Sequence, residues 1–381
     1  MIKLLTVVGA RPQIIKAAAL SRAIRNSHSG AVREFILHTG QHYDANMSQV
    51  FFEELNIPRP DFMLNVGSAS HGVQTARMIE GIEEKLKELK PDFLLVYGDT
   101  NSTLAGAVAA SKLHIPVLHI EAGLRSFNKS MPEEINRIAC DHCSTLLFSP
   151  TATGVKNLEN EGFNIHNTTP FSIDTPGVFH CGDVMYDNSL YFSKIAQTQS
   201  QILNINKLEK NIFILATIHR PQNTDDPRRL ESIFEALNHL ALKYRRDIFL
   251  PLHPRTSKLI AKNLTAKLRG QIDENPHLKI SDPVSFLDMI QLEQNTCMVI
   301  TDSGGVQKES YFFGKPCIIL RPQTEWVEIV NQGTAIITDA DPDRITEAFE
   351  KLFNNNDLRY PPIFGDGKAA EFILEEILKY R

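Results

Sequence analysis

The 381 residues show no surplus of positive charge: 40 Lys and Arg stand against 45 Asp and Glu, a formal net charge of -5. No basic stripe runs along the chain, so the electrostatic footprint of a nucleic-acid or anionic-membrane partner is missing, and a small charged ligand remains. Long hydrophobic runs are missing too. The opening "MIKLLTVVGARP" breaks at Gly9, too short for a signal-peptide core, and no run reaches bilayer length. Cysteine is sparse and odd in number, five residues at 140, 143, 181, 297 and 317. Most sit beside apolar runs, which reads as reduced buried thiols in a cytoplasmic protein. The one C-x-x-C, Cys140 with Cys143, has no second pair to complete a zinc site, and "EEINRIACDHC" reads as a helix packing its cysteines inward. No metal is expected. A G-x-G-x-x-G fingerprint is absent after the first strand, so no nicotinamide cofactor is expected. Nor is there an internal repeat, heptad array or low-complexity tract.

What is present is alternation. With 42% hydrophobic residues the chain can bury ample core, and its length favours two domains. Short apolar runs such as "KLLTVVG", "FLLVYGD" and "PVLHIEAG" are each followed by a helical pattern. Continuous apolar strands between helices indicate parallel sheets covered on both faces. The pattern restarts at "NIFILATIHR" and continues through "DIFLPLHP", "TCMVITDSGG" and "KPCIILRP". The expected fold is α/β, two Rossmann-like doubly wound domains facing an interdomain cleft: residues 1–205, with a C-terminal helix over 366–381 packing back on them, and residues 206–365. A polar loop over 164–177 has no function assigned to it.

In open α/β sheets ligands bind off the carboxyl ends of the strands. After the first strand come Gly9, Ala10, Arg11 and Pro12, with Lys16 a turn later; both cations can reach an anion, or both are ordinary solvated charges. Asp99 follows the strand ending in "YGD", where it is either a helix cap or a functional acid. Its company favours function. The next strand delivers His119 and Glu121, and the following helix begins at "PEE" with Glu133 and Glu134. Neighbouring carboxylates can hold unequal proton affinities, as paired acid and base roles require. In the second half, His219 with Arg220 and His253 with Arg255 end successive strands, either as satisfied interior histidines or as cleft residues. The strongest anion signal is "VITDSGGVQKES": a strand, then Ser303, Gly304 and Gly305, then a helix whose free amides suit a diphosphate, with Glu309 a turn further on for a sugar hydroxyl pair.

GARP, GDTNST, HIEAGLRS, MPEEINR, TDSGGVQKE and GDG, in this order, resemble the UDP-N-acetylglucosamine 2-epimerase family, whose fold is of glycosyltransferase-B type. The likeness runs from Val8 to the end of the chain. It implies acid/base positions at Asp99, Glu121, Glu133 and His219, and substrate-binding positions at Arg11, Lys16, His253, Ser303, Gly304, Gly305, Glu309 and Arg321. It further implies a UDP-sugar substrate, a homodimer, and no metal. The implied reaction is anti elimination of UDP to a 2-acetamidoglycal, then re-addition with the proton returned to the other face of C2, the division of labour among the carboxylates being open.

"GARPQIIKAA", "RSFNKSMPEEINR", "HPRT" and "QTEWVE" look most like the branch that inverts C2 of UDP-2,3-diacetamido-2,3-dideoxyglucuronate for O-antigen and capsule assembly. Arg255 or Arg125 would then meet the uronate carboxylate. The family's Gln-His-x-x-Met motif, tied to an activating second UDP-sugar, is replaced by "QHYDANM" with Met47 two places late, so such activation is not expected. The rivals are a UDP-N-acetylglucosamine 2-epimerase, a hydrolysing 2-epimerase, a retaining glycosyltransferase, and a UDP-sugar binding module without turnover.

Overall fold

A computed structural model describes residues 1–41 and 57–380. The chain forms two compact units, Met1–Asn188 with Pro362–Arg381 and Ser189–Pro361. The passage from one to the other falls within helix Val184–Gln199, earlier than residue 205.

The first unit holds seven strands, β1 (Ile2–Val8), β2 (Val32–His38), β3 (Phe62–Met63), β4 (Phe93–Tyr97), β5 (Val117–Ile120), β6 (Leu146–Ser149) and β7 (Gly177–His180). Their order in the sheet is β3-β2-β1-β4-β5-β6-β7, and every pairing is parallel. β4 is buried at all five positions, as expected of a strand with helices on both faces. Met78, Ile82 and Leu86 of helix His71–Leu89 and Ala105, Ala109 and Ala110 of helix Asn101–Lys112 close one side of this core. C-terminal helix Ala369–Lys379 packs against helix Arg11–Ala23. Its first amides, from Ala369 and Ala370, donate to the Asp187 carboxylate at 3.1 and 2.8 Å, the charge preference of a helix N-terminus. The polar loop before β7 supports the same helix: Tyr380 donates to the Phe171 carbonyl at 3.0 Å, and Phe171 and Phe179 meet edge to face.

The second unit repeats the plan with β8 (Ile214–Thr217), β9 (Ile248–Pro251), β10 (Leu278–Ser281), β11 (Met298–Thr301), β12 (Cys317–Ile319) and β13 (Ala335–Ile337), ordered β10-β9-β8-β11-β12-β13 and again parallel. Its core gathers Ile214, Ala216, Phe234, Leu237, Ile300 and Phe349. Each sheet therefore reverses its strand order once, between β1 and β4 and between β8 and β11. Those two reversals are where an open α/β sheet forms its ligand crevice.

Candidate active site

The helix after β1 and the turns after β4 and β5 bring Lys16, Gly98 and Glu121 together, with Asp99 next to Gly98 in the chain. Lys16 pairs with Glu121, and a Cβ added at Gly98 would lie 3.2 Å from both the Glu121 Oε2 and the Lys16 Nζ. Glu121 is 7% exposed and sits at φ 75°, a left-handed conformation that an L-residue with a long side chain adopts only under constraint from its surroundings. Arg11 opens helix Arg11–Ala23 and is exposed.

Ahead of it, the Gln13 side chain is buried and fully engaged. Its oxygen accepts the Gly9 and Ala10 amides at 2.9 and 3.2 Å, and its nitrogen donates to the Tyr97 carbonyl and the Thr103 hydroxyl at 2.8 and 2.9 Å. An amide is suited to this position because it accepts on one side and donates on the other. Gln13 thereby fixes the turn after β1 to the end of β4.

Thr100, not Asp99, caps helix Asn101–Lys112, taking the Thr103 amide at 3.3 Å. The Asp99 carboxylate instead meets Arg137, and its carbonyl accepts from Asn136 at 2.9 Å. The capping alternative for Asp99 is thus excluded. The two glutamates of helix Pro132–His142 have different circumstances. Glu133 is exposed in the first turn. Glu134 is buried, accepts the Ser126 and Phe127 amides at 2.9 and 2.8 Å, and takes Arg137 at 3.0 Å. Burial presses the Glu134 carboxyl upward, but those two amides and Arg137 outweigh it and hold its pKa below the usual range.

Arg125 corrects an expectation. Its guanidinium is bound at 2.7 Å to Asp141, through two nitrogens at 2.7 Å to Glu161, and at 2.7 Å to the Leu124 carbonyl, and the residue is 5% exposed. With its donors committed inside the fold, Arg125 is a structural cation rather than a contact for a substrate carboxylate.

In the second unit the β8/β11 reversal gathers His219, Arg220, Asp302 and Ser303. Fully buried Asp302 accepts the His219 amide at 3.1 Å, the Arg220 amide at 3.0 Å and the Asn223 side chain at 3.1 Å, and its carboxylate lies 3.2 Å from the His219 Nδ1. Burial raises the proton affinity of Asp302, yet the His219 ring and the two amides together keep its pKa below the ordinary value.

Ser303 caps helix Gly304–Phe312. A Cβ added at Gly304 would meet the Glu325 carboxylate, which takes Arg321 at 2.9 Å, so the glycine leaves room for that pair beside the helix start. Glu309 lies in that helix with fully buried Glu293 against it, and burial plus the Glu309 charge push Glu293 well up. His253 caps helix Pro254–Asn263 by accepting the Arg255 amide at 3.2 Å, and the exposed Arg255 side chain forks onto Asp225 at 2.6 and 2.7 Å.

The family model described as UDP-N-acetylglucosamine 2-epimerase matches residues 24–378. The chain belongs to this family. It is 47% identical, over 99% of both chains, to the UDP-2,3-diacetamido-2,3-dideoxy-D-glucuronate 2-epimerase of Pseudomonas aeruginosa. It is 30% identical to the UDP-N-acetylglucosamine 2-epimerase of Escherichia coli, over 100% of this chain and 99% of that one. The crystal structure of the Methanocaldococcus jannaschii UDP-GlcNAc 2-epimerase in complex with UDP-GlcNAc and UDP superposes with a TM-score of 0.84 at 39% identity, covering 100% of both chains. Of the stretch expected to bear on activation by a second UDP-sugar, Gln41 accepts the Ser102 amide and hydroxyl at 3.1 and 2.8 Å, and Met47 lies outside the described residues.

Sequence reading missed Gln13, His119, Arg137, Asp141 and Asp302 as organisers of the site. Asp302 had a visible signal, an acid directly before Ser303. Each of the others has a partner remote in sequence: Tyr97 and Thr103 for Gln13, Asp99 for Arg137, and His119 and Asp141 for each other.

Proposed function

We propose that this member of the family is a UDP-sugar 2-epimerase that inverts C2 of UDP-2,3-diacetamido-2,3-dideoxyglucuronate without net hydrolysis. The observation that carries the proposal is Glu121, buried and held in left-handed backbone against Lys16 at the β1/β4 reversal, where an acid with no catalytic task would be a costly choice.

The C2 hydrogen of an N-acetylhexosamine is not flanked by a carbonyl carbon, so its direct removal as a carbanion is unfavourable. Anti elimination avoids this: a base takes the C2 proton while the C1–O bond to diphosphate breaks, leaving a 2-acetamidoglycal and UDP. Re-addition of UDP at C1, with proton delivery to the opposite face of C2, completes the inversion. Asp99, Glu121 and Glu133 supply base and proton donor. Arg11, His219 and the Ser303-Gly304-Gly305 helix start receive the charge of the departing diphosphate, while Arg321 holds Glu325 beside that helix start. Glu309 takes the ribose hydroxyls, and His253 presents the turn that carries Arg255.

Identity of 47% with the Pseudomonas diacetamidoglucuronate enzyme supports the uronate substrate, although a Methanococcus maripaludis protein named as a UDP-N-acetylglucosamine 2-epimerase homolog is 46% identical. Arg255 is its partner of choice, because an exposed pair such as Arg255 with Asp225 exchanges one carboxylate for another at little cost. The second reading, UDP-N-acetylglucosamine as substrate, is favoured by the likeness to the archaeal structure that binds it.

Proton NMR in D₂O with each sugar nucleotide in parallel tests both. Loss of the H2 signal with growth of a manno anomeric resonance on intact UDP-sugar is the expected result for the uronate. Free sugar with UDP would establish the hydrolysing course instead, and no exchange with either compound would refute an epimerase.

A further inference from the structure

The imidazole of His119, at the third position of β5, is fully buried and bonded on both sides. Its Nδ1 lies 2.6 Å from Asp141 Oδ1 and its Nε2 lies 2.8 Å from the Gly98 carbonyl oxygen. Both partners only accept, so the ring donates twice and carries two protons. The second oxygen of Asp141, also fully buried, accepts the Gly123 amide at 3.1 Å and the Arg125 guanidinium at 2.7 Å. Arg125 in turn reaches half-exposed Glu161. Four charges of alternating sign thus run inward from the surface and end on two backbone groups.

Those backbone groups are informative. Gly98 directly precedes Asp99, and Gly123 follows Glu121 by two residues. Gly98, Glu121 and Gly123 have φ of 64°, 75° and 79°, a run of left-handed backbone at the edge of the acid cluster that must be held by contacts from outside it.

Buried ion pairs are an inefficient source of stability, since apolar side chains of similar volume commonly do as well, whereas they are effective at selecting one geometry. We propose that His119 and Asp141 are the positioning pair of the epimerisation: one imidazole and one carboxylate, bonded to the backbone beside Asp99 and beside Glu121, set the placement of the two acids relative to each other. This rests on the epimerase reading above. His119 and Asp141 touch no substrate in this scheme and act only through the Gly98 carbonyl and the Gly123 amide. The ionisation behaviour agrees: burial alone would push His119 down, but adjacent Cys140 and the Asp141 carboxylate hold it well above its ordinary value, and Asp141 is held below its own by His119 and Arg125.

The test compares the full-length enzyme with its His119→Gln variant in D₂O, on UDP-2,3-diacetamido-2,3-dideoxyglucuronate and on UDP-N-acetylglucosamine, with kcat normalised to the folded fraction from circular dichroism. A misplacement of about 1 Å costs roughly 10²-fold in rate, so kcat for C2 exchange should fall by about 10- to 100-fold while KM stays within about threefold. A folded variant with wild-type kcat, or a loss expressed only in KM, overturns the positioning role. If His119→Gln does not fold, Arg125→Lys, which keeps a cation on Asp141 but loses the fork, takes its place; it should lower kcat several-fold, and wild-type kcat overturns the proposal. Nitrogen NMR of ¹⁵N-histidine-labelled wild type is the second arm. Two protonated ring nitrogens on His119 at pH 8 are expected, and a neutral tautomer overturns the clamp. Should wild type exchange neither sugar while His119 remains doubly protonated, the epimerase reading fails and the clamp stands as structure alone.

Discussion

Arg137 ties Asp99 to Glu134, one nitrogen of its guanidinium donating to each carboxylate, at 3.0 Å for Glu134. Replacing Arg137 with Met removes the cation from a buried acid and frees a half-exposed one. A stability loss on the order of 2 kcal/mol is expected, because Glu134 keeps its two amides but loses its counter-charge. Urea unfolding monitors that loss, and turnover should fall as well, since Asp99 is no longer held.

Glu133 and Glu134 should separate cleanly. Glu134→Gln destabilises, because only one of its two carboxylate oxygens survives as an acceptor for the Ser126 and Phe127 amides and Arg137. Glu133→Gln, at an exposed position, should leave the melting temperature unchanged and lower turnover by roughly 10²- to 10⁴-fold, the range for loss of a general acid or base. Differential scanning calorimetry with the deuterium-exchange assay distinguishes them, and equal effects of the two changes would contradict the assignment.

Asp302→Asn places an NH₂ group among the His219 and Arg220 amides and the Asn223 side chain, setting donor against donor. UDP affinity should fall by about tenfold by calorimetry, roughly the worth of one hydrogen bond to a charged group. In the wild type the folded-state pKa of Asp302 is depressed from 3.8. Its contribution to stability is therefore present above pH 3.8 and is lost as pH falls through the depressed value.

Asp187 has the opposite sign. Burial raises its carboxyl from 3.8 to about 6, despite the Ala370 and Ala369 amides. Its proton-linked stability is full below pH 3.8 and is lost as pH rises through about 6, a change of about 3 kcal/mol. The stability of Asp187→Asn relative to wild type should accordingly rise between pH 4 and pH 7 in chemical denaturation. A pH-independent difference would show that Asp187 is not shifted.

Much of this was legible in the chain. Strands buried on both faces are continuous apolar runs, so β1, β4, β8 and β11 stood out, and the residues following them were the ones to read for chemistry. The helix start at Ser303, Gly304 and Gly305 was legible for the same local reason. Arg125 was misread because its partners, Asp141 and Glu161, are 16 and 36 positions away, and nothing in "GLRS" tells a cation that will be swallowed by acids from one that will meet a ligand. The role of Gln13 was hidden because two of its four hydrogen bonds, to the Tyr97 carbonyl and the Thr103 hydroxyl, appear only when β1 and β4 are side by side.

The last helix has a consequence for how the molecule is made. Ile373, Leu374 and Ile377 are fully covered, and the residues before them bind Asp187. A growing chain leaves the ribosome amino end first, so residues 189–361 can complete their fold while the earlier-made portion still waits for its seal. The portion synthesised first is finished last. Until translation ends, an apolar groove beside helix Arg11–Ala23 stays open, and a message truncated after residue 361 would release a protein with that sticky surface permanently bared.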